Sequence, residues 1–295
     1  TQEQLNLISI AIEDLYLSKG YYLTVAHADL IDSQLRISII EGKINNVFVI
    51  LGDEKKDKKV LNNHLLISLI NKIKKQDPIK TKDLEKYVAL INDIPGYTVE
   101  YDLELLPDIK GNKVANLVMV INTKKATAEL SVDNKGISDL GKYQFDFVGQ
   151  VFDLIANDSL MMNLGTTNKP KQSNMVIGSY LKKLNSYGTS ANITAVHLGH
   201  DSYNTSGSKD SKSGILKGQI DQYLLLNNSY NVKLKFGVEH RNVENYAESN
   251  KLSDYKYVMG SVESEIKVTD PFNAENLFFP SFNFNKIPAL SITCL

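Results

Sequence analysis

The hydrophobic period of this chain changes once, between Tyr87 and Gly149, and that change limits what it can fold into. Before this stretch helical spacing is mixed with strand alternation; after it only alternation remains. Asp93-Ile94-Pro95-Gly96 marks one side of the change and Ser131-Val132-Asp133-Asn134-Lys135-Gly136 the other. Both are rich in the residues that stop helices and build turns. A length of 295 residues allows two or three domains.

Upstream, Leu5, Ile8, Ile12 and Leu15 recur at helical spacing from Thr1 to Ser18, and Gly20 stops the helix. Strands are expected over Tyr21–Ala28, Leu35–Ile40 and Lys43–Leu51, with Glu41-Gly42 as a turn. Leu61, Leu65, Leu69 and Ile73 predict a helix over Val60–Lys74. Leu84, Val88 and Ile91 predict another, with Thr81 as its N-cap and Pro95-Gly96 as its end. Strands over Tyr97–Leu105 and Val114–Ile121 follow, joined by turn chemistry at Pro107-Asp108 and Lys110-Gly111-Asn112. The second unit thus reads strand, helix, helix, strand, strand; the first has the same tail without an opening strand.

Downstream, eight strands are expected: Ala126–Val132, Lys142–Phe152, Ser159–Gly165, Asn174–Leu184, Thr189–His200, Gly214–Leu226, Tyr230–Asn242 and Tyr255–Thr269. In the clearest, Tyr230, Val232, Leu234, Phe236 and Val238 share one face, and Asn231, Lys233, Lys235 and Glu239 the other. Such alternation fits a solvated sandwich or β-helix as well as a barrel with a wet lumen. Run lengths of about 9–13 residues match tilted membrane crossings better than ordinary soluble strands. Long polar connectors over His200–Ser213 and Val243–Asp254 alternate with the short Asn227-Asn228-Ser229, as in a barrel with long loops on one side.

Charge excludes one class of partner. Thirty-three basic and 34 acidic residues give a net charge of −1, which offers no field for nucleic acid. The single cysteine, Cys294, excludes a disulfide framework within the chain. No apolar run approaches the ~20 residues of a membrane helix. His197-Leu-Gly-His200 with Asp201 invites a zinc or hydrolase reading. The segment is strand-like, however, and residues three apart on a strand point to opposite faces. Gly207–Gly214 lacks the glycine–lysine pair of a phosphate loop. No nucleophile–base set emerges, so neither catalytic residue, metal nor cofactor is expected.

Three ordered matches over residues 1–165 resemble the outer-membrane transporters of two-partner secretion, the hemolysin-activator and filamentous-hemagglutinin-secretion type. Gly20 and Tyr21, with Glu41 and Gly42 further on, look like that family's first POTRA domain. Leu90 to Gly96, with Pro95-Gly96 at its end, is similar to the second. Asp133, Asn134 and Gly136, followed by Asn157 and Asp158, look like the start of its barrel.

The resemblance implies α+β POTRA domains followed by an antiparallel transmembrane β-barrel region. The segments would be residues 1–43, 44–124 and 125–295. It further implies a Gram-negative outer membrane, POTRA domains in the periplasm, contact with outer-membrane lipids and an unfolded secreted exoprotein as client. Family barrels have about sixteen strands, so eight strands read as a truncated form. The family's Val-Arg-Gly-(Tyr/Phe) signature is absent; Arg241 stands in His-Arg-Asn. Client capture would use an exposed strand edge, with Tyr97, Thr98, Val99, Glu100, Tyr101 and Asp102 as the candidate and proline at Thr98, Glu100 or Asp102 as its probe. The competing expectation is a soluble periplasmic or secreted β-rich binding or adhesion module.

Overall fold

The computed structural model describes residues 1–52, 62–106, 114–136, 140–204, 207–227, 230–247, 250–269 and 275–288. The chain divides into two compact units. The first takes in residues 1–93 and 97–123; the second takes in 94–96 and most of the chain from 124 onward.

The first unit opens with α1 (Gln2–Ser18), which starts at a capping box. The Thr1 amino group donates to Gln4 Oε1 at 2.8 Å, and Thr1 Oγ1 accepts the Gln4 N–H. Gly20 ends it at φ +86°. The strand expected from Tyr21 begins only at Val25, because the Tyr21 N–H still donates to Tyr16 O at 2.9 Å and wraps the chain around the helix end. β1 (Val25–Ile31) and β2 (Gln34–Ile40) form a hairpin through Asp32 and Ser33, both at positive φ. Side chains of α1 cover the other edge of β1: Ala26 N–H donates to Glu13 and Ala28 N–H to Ser9.

Next come β3 (Lys43–Leu51), α2 (His64–Lys74), α3 (Thr81–Asn92), β4 (Tyr97–Leu105) and β5 (Val114–Thr123). The sheet order is β3-β5-β4, with β3 parallel and β4 antiparallel to the central β5. Val60, Leu61 and the turn expected over residues 107–112 lie outside the described residues. Asn63 caps α2, its Oδ1 accepting from Leu65 and Leu66 N–H while its amide donates to Tyr97 Oη. Its buried stripe is Leu66, Leu69 and Ile73 rather than one through Leu65. Thr81 is not the cap expected of it. Lys80 takes the cap position without a side-chain bond, and Thr81 donates both its N–H and its hydroxyl to Gly20 O, at 2.9 and 3.1 Å. The core closes between these helices and one sheet face, where Leu66, Ile73, Leu84 and Ile91 meet Ala115, Leu117, Met119 and Ile121, all essentially fully buried.

The second unit is an antiparallel meander. Its strands are β6 (Ala126–Asp133), β7 (Gln144–Phe152), β8 (Asp158–Thr167), β9 (Ser173–Lys183), β10 (Thr189–Asn204), β11 (Gly207–Leu226), β12 (Tyr230–Ala247) and β13 (Asn250–Thr269), each beside the next. All eight expected runs are strands. The polar stretches expected as long loops are not loops: residues 200–213 and 243–254 are largely strand, extending the β10–β11 and β12–β13 hairpins. The β12–β13 end carries an ion-pair cluster, where Lys251 Nζ sits 3.2 Å from Glu244 and 2.7 Å from Asp254.

One lane was missed. β14 (Glu275–Phe278) and β15 (Ser281–Pro288) both pair with β13, bringing this sheet to ten strands. They share one register, since Ile266 pairs with Phe278, Ser264 N–H donates to Pro280 O, and Val262 pairs with Phe282. Pro280 has no N–H to return, so the ladder breaks there. Among the described residues the sheet is not closed: β6 bounds one margin and β14–β15 the other.

Replacing Leu117 at the centre of the small sheet by Ala is expected to cost about 2–5 kcal/mol. Faster amide hydrogen exchange in β3, β4 and β5, with β6–β13 unchanged, is the measurement that checks it.

Candidate functional site

Strand β4 is one of the small sheet's two margins, β3 being the other, and its hydrogen-bonding parity decides which groups it can offer. Leu106 N–H donates to Val114 O, while Val99 N–H donates to the Asn92 side chain at 2.7 Å. Even-numbered residues therefore spend their N–H and C=O on β5, and odd-numbered ones turn theirs outward. Thr98, Glu100 and Asp102 are thus unsuitable proline probes, because proline there would remove a bond to β5 rather than one at the edge. The outward set is Val99, Tyr101, Leu103 and Leu105. Asn92 Oδ1 occupies the Val99 N–H and Asp102 Oδ1 the Leu103 N–H at 2.8 Å.

The two sides of β4 differ in chemistry. Register places Tyr97, Val99, Tyr101, Leu103 and Leu105 with the helix-facing Leu117, Met119 and Ile121 of β5. Tyr97 and Val99 are buried, whereas Leu105 is 65% exposed. Thr98, Glu100, Asp102 and Glu104 lie on the opposite, solvent-facing side. Behind the strand, burial raises the pKa of the Glu85 carboxyl. Burial and then the Glu85 charge raise Tyr101, and burial with nearby Tyr101 and Glu85 pushes Tyr22 up to about 12. The Tyr22 hydroxyl is buried with no hydrogen-bond partner among the described residues.

Gly20 and Tyr21 stand at the junction of the first unit's two sheets. Gly20 O receives both Thr81 donors, and Lys80 Nζ lies 4.9 Å from the Tyr21 ring centre. Exposed Glu41 and buried Gly42 form the link from β2 to β3, joining strands of two different sheets. Pro95 is buried. Gly96 has φ +82°, and a Cβ there would lie 2.7 Å from both Lys124 O and Phe152 Cβ.

The remaining motif residues build turns of the large sheet. Asp133 Oδ1 accepts the Lys135 N–H, Asn134 is exposed beside it, and a Cβ on Gly136 would meet Gly141 O at 2.1 Å. Asn157 sits at φ +56° and donates its N–H to Asp153 Oδ1. Fully buried Asp158 accepts the Ile155 N–H at 3.2 Å and the Tyr180 hydroxyl at 2.7 Å. These residues are not gathered into one site; they shape two separate turns.

The large sheet has two unlike faces. The pairings place Leu130, Phe147, Leu164, Val176, Ile193 and Leu216 on one face. Phe236 and Val262 join them, because their odd-numbered neighbours Gly237 and Glu263 lie against Lys217. Most of these residues are exposed. On β12 this face runs from Tyr230 to Val238, eight steps of ~3.4 Å or about 27 Å. The other face is polar and internally paired. Lys217 meets Glu263 at 3.1 Å, Lys235 meets Glu265 at 2.5 Å, and Arg241 meets Glu239 at 2.8 Å. Ser179 bonds Asn192 and Thr194, and Lys233 lies 4.4 Å from the Tyr223 ring centre. His197 and His200 fall on opposite faces, His197 pairing with Val176 and His200 with Ser173. The span read against a phosphate loop is part of β11. Single-strand alternation pointed to the two faces; the partners of the cross-strand ion pairs needed the register.

No known family profile matches the chain, and no curated protein does. Solved structures do match. It is similar to CdiB from Escherichia coli, with a TM-score of 0.67 and 17% identity over 95% of this chain. It is also similar to CdiB from Acinetobacter baumannii, at 0.65 and 14% over 96%. The chain spans about half the length of these structures, 52% and 54% respectively. The likeness is one of fold.

Because burial raises the Glu85 pKa above its unfolded value, this carboxyl favours folding most when protonated. That contribution is lost as pH rises through the folded-state pKa. Glu85→Gln is therefore expected to raise the melting temperature at pH 7, with the gain shrinking toward pH 4. A gain equal at both pH values would contradict this origin.

Proposed function

We propose that this chain belongs to an outer-membrane protein-translocation system of the two-partner secretion type. CdiB, whose fold it shares, is such a transporter. In this reading the β3-α2-α3-β4-β5 unit is a POTRA domain, and α1-β1-β2 belongs to a preceding one. The meander is a portion of a transmembrane barrel in a Gram-negative outer membrane. The POTRA domains stand in the periplasm, receive an unfolded secreted exoprotein and deliver it to the barrel. The segments 1–43, 44–124 and 125–295 correspond to these three parts.

The observation that carries the reading is the two-faced large sheet. An exposed apolar face of about 27 Å along the strand is what lipid requires, and a polar, ion-paired face is what a wet lumen requires. In water such a face would be a large unprotected apolar surface. Lipid imposes a further condition: unpaired strand edges cost several kcal/mol per backbone group, so both margins of the sheet must be paired when it is inserted. The soluble adhesion alternative leaves the apolar face without a partner.

Client capture is assigned to the outward groups of β4, where an extended segment can add as a further strand. Membrane insertion is tested by fractionation. The full chain should leave isolated membranes only with detergent and show heat-modifiable gel mobility; release by high salt or carbonate alone would sink the barrel reading. The edge is tested by Tyr101→Pro, which removes an outward N–H and leaves the β5 ladder whole. Binding of the cognate exoprotein's unfolded secretion segment should weaken about tenfold, the equivalent of one or two main-chain hydrogen bonds.

A further inference from the structure

The β4 edge does not offer its backbone evenly, and its two sides differ in charge. Val99 and Leu103 have their N–H groups taken by Asn92 and Asp102, whereas the Tyr101 N–H has no bond among the described residues. An incoming strand can therefore exchange both bonds with Tyr101 at once, but meets an occupied donor on each side. The two obstacles are unequal. Asn92 is the last residue of α3, fixed by the helix, and its 2.7 Å bond closes the Val99 end of the edge. Asp102 lies on the strand itself, is exposed, and holds the neighbouring N–H through a flexible side chain. A cation arriving on the solvent-facing side would draw that carboxylate away and free the Leu103 donor.

The side chains say which strand would bring such a cation. A strand added beside β4 places every second residue on the helix side, against Tyr101, Leu103 and exposed Leu105. The residues between them fall beside Glu100, Asp102 and Glu104, an unbroken acidic series on alternate positions. Opposite charges across neighbouring strands stabilise the pairing, and like charges oppose it.

Resting on the edge-capture reading above, we infer that β4 selects an extended segment alternating apolar and basic residues. That segment docks in a register centred on Tyr101 and extends toward Leu105. Asn92 is the stop that sets the register, and Asp102 is a lock that a basic residue opens.

The test uses the full chain in a neutral detergent and two fluorescent nine-residue peptides that share apolar positions, one with lysine between them and one with glutamate. Anisotropy should show the lysine peptide binding about tenfold more tightly, the sum of a few cross-strand pairs. Tyr101→Pro should weaken that binding about tenfold while amide protection in β5 persists. Reversing the acids (Glu100→Lys with Asp102→Lys and Glu104→Lys) should invert the preference. If both peptides bind alike and both are weakened in Tyr101→Pro, edge capture stands and the charge selection is overturned. Binding that Tyr101→Pro leaves untouched overturns the edge reading and the selection together. Failure of the lysine peptide to bind at all overturns the selection.

Discussion

Everything in the larger unit depends on a constraint of parity. Paired residues in an antiparallel sheet share a face, so a slip of one residue at any strand would exchange its apolar and polar sets. From β6 to β11 that exchange does not happen. Leu130 is linked through Phe147, Leu164, Val176 and His197 to Gly214, without a change of side. Several glycines reflect the same division. Gly178, Gly214, Gly218 and Gly260 stand on the apolar face with nothing within 4 Å of where a Cβ would be. On the polar face Gly165 is hemmed in by Asp146 and Met175, and Gly237 by Ser261 and Lys217. Among the described residues, open spaces of this kind occur only on the apolar face, although Gly149 there meets the Phe147 ring at 3.1 Å and Gly199 the Asn174 side chain at 2.7 Å.

The smaller unit solves the opposite problem. Its apolar groups are turned against α2 and α3, and its exposed strand carries acids on the solvent side. Charged residues are a usual means of protecting a sheet margin in water. The same helix that closes the core, α3, also reaches round with Asn92 to occupy the outward Val99 donor of β4. Packing and edge chemistry are therefore coupled through one element: Leu84, Val88 and Ile91 fix where Asn92 stands.

Period made most of the fold legible. Eight large-sheet strands and the order of elements around β5 followed from spacing alone, because an apolar face at period 2 or 3.6 is what burial or lipid demands. Periodicity failed where something else held the structure. Thr81 has the chemistry of a cap, yet a carbonyl sixty-one residues away in sequence, that of Gly20, claims both its donors. The β10–β11 extension is a backbone ladder and the β12–β13 extension a ladder with ion pairs, so no continuous apolar period marks them. The lane of β14 and β15 is divided by Pro280, which removes a donor without changing the register. Of the candidate edge, the residues were legible and their directions were not. That Tyr101 faces outward and Glu100 inward along the hydrogen-bonding direction follows from the pairing with β5.

The occupied donors of β4 also bear on how an edge can be both safe and usable. A side-chain bond to a backbone N–H contributes only ~0.5–1.5 kcal/mol net, because water competes for both groups. It satisfies the donor against casual pairing with another chain, yet a segment supplying several main-chain bonds in register can displace it. The ladder between β4 and β5 is not exchangeable in this way, since its bonds lie over a core of fully buried Leu117 and Met119. Asn92 and Asp102 therefore raise the threshold for adding a strand without altering the sheet that receives it. A single stray contact falls below that threshold, and a matched segment of several residues exceeds it.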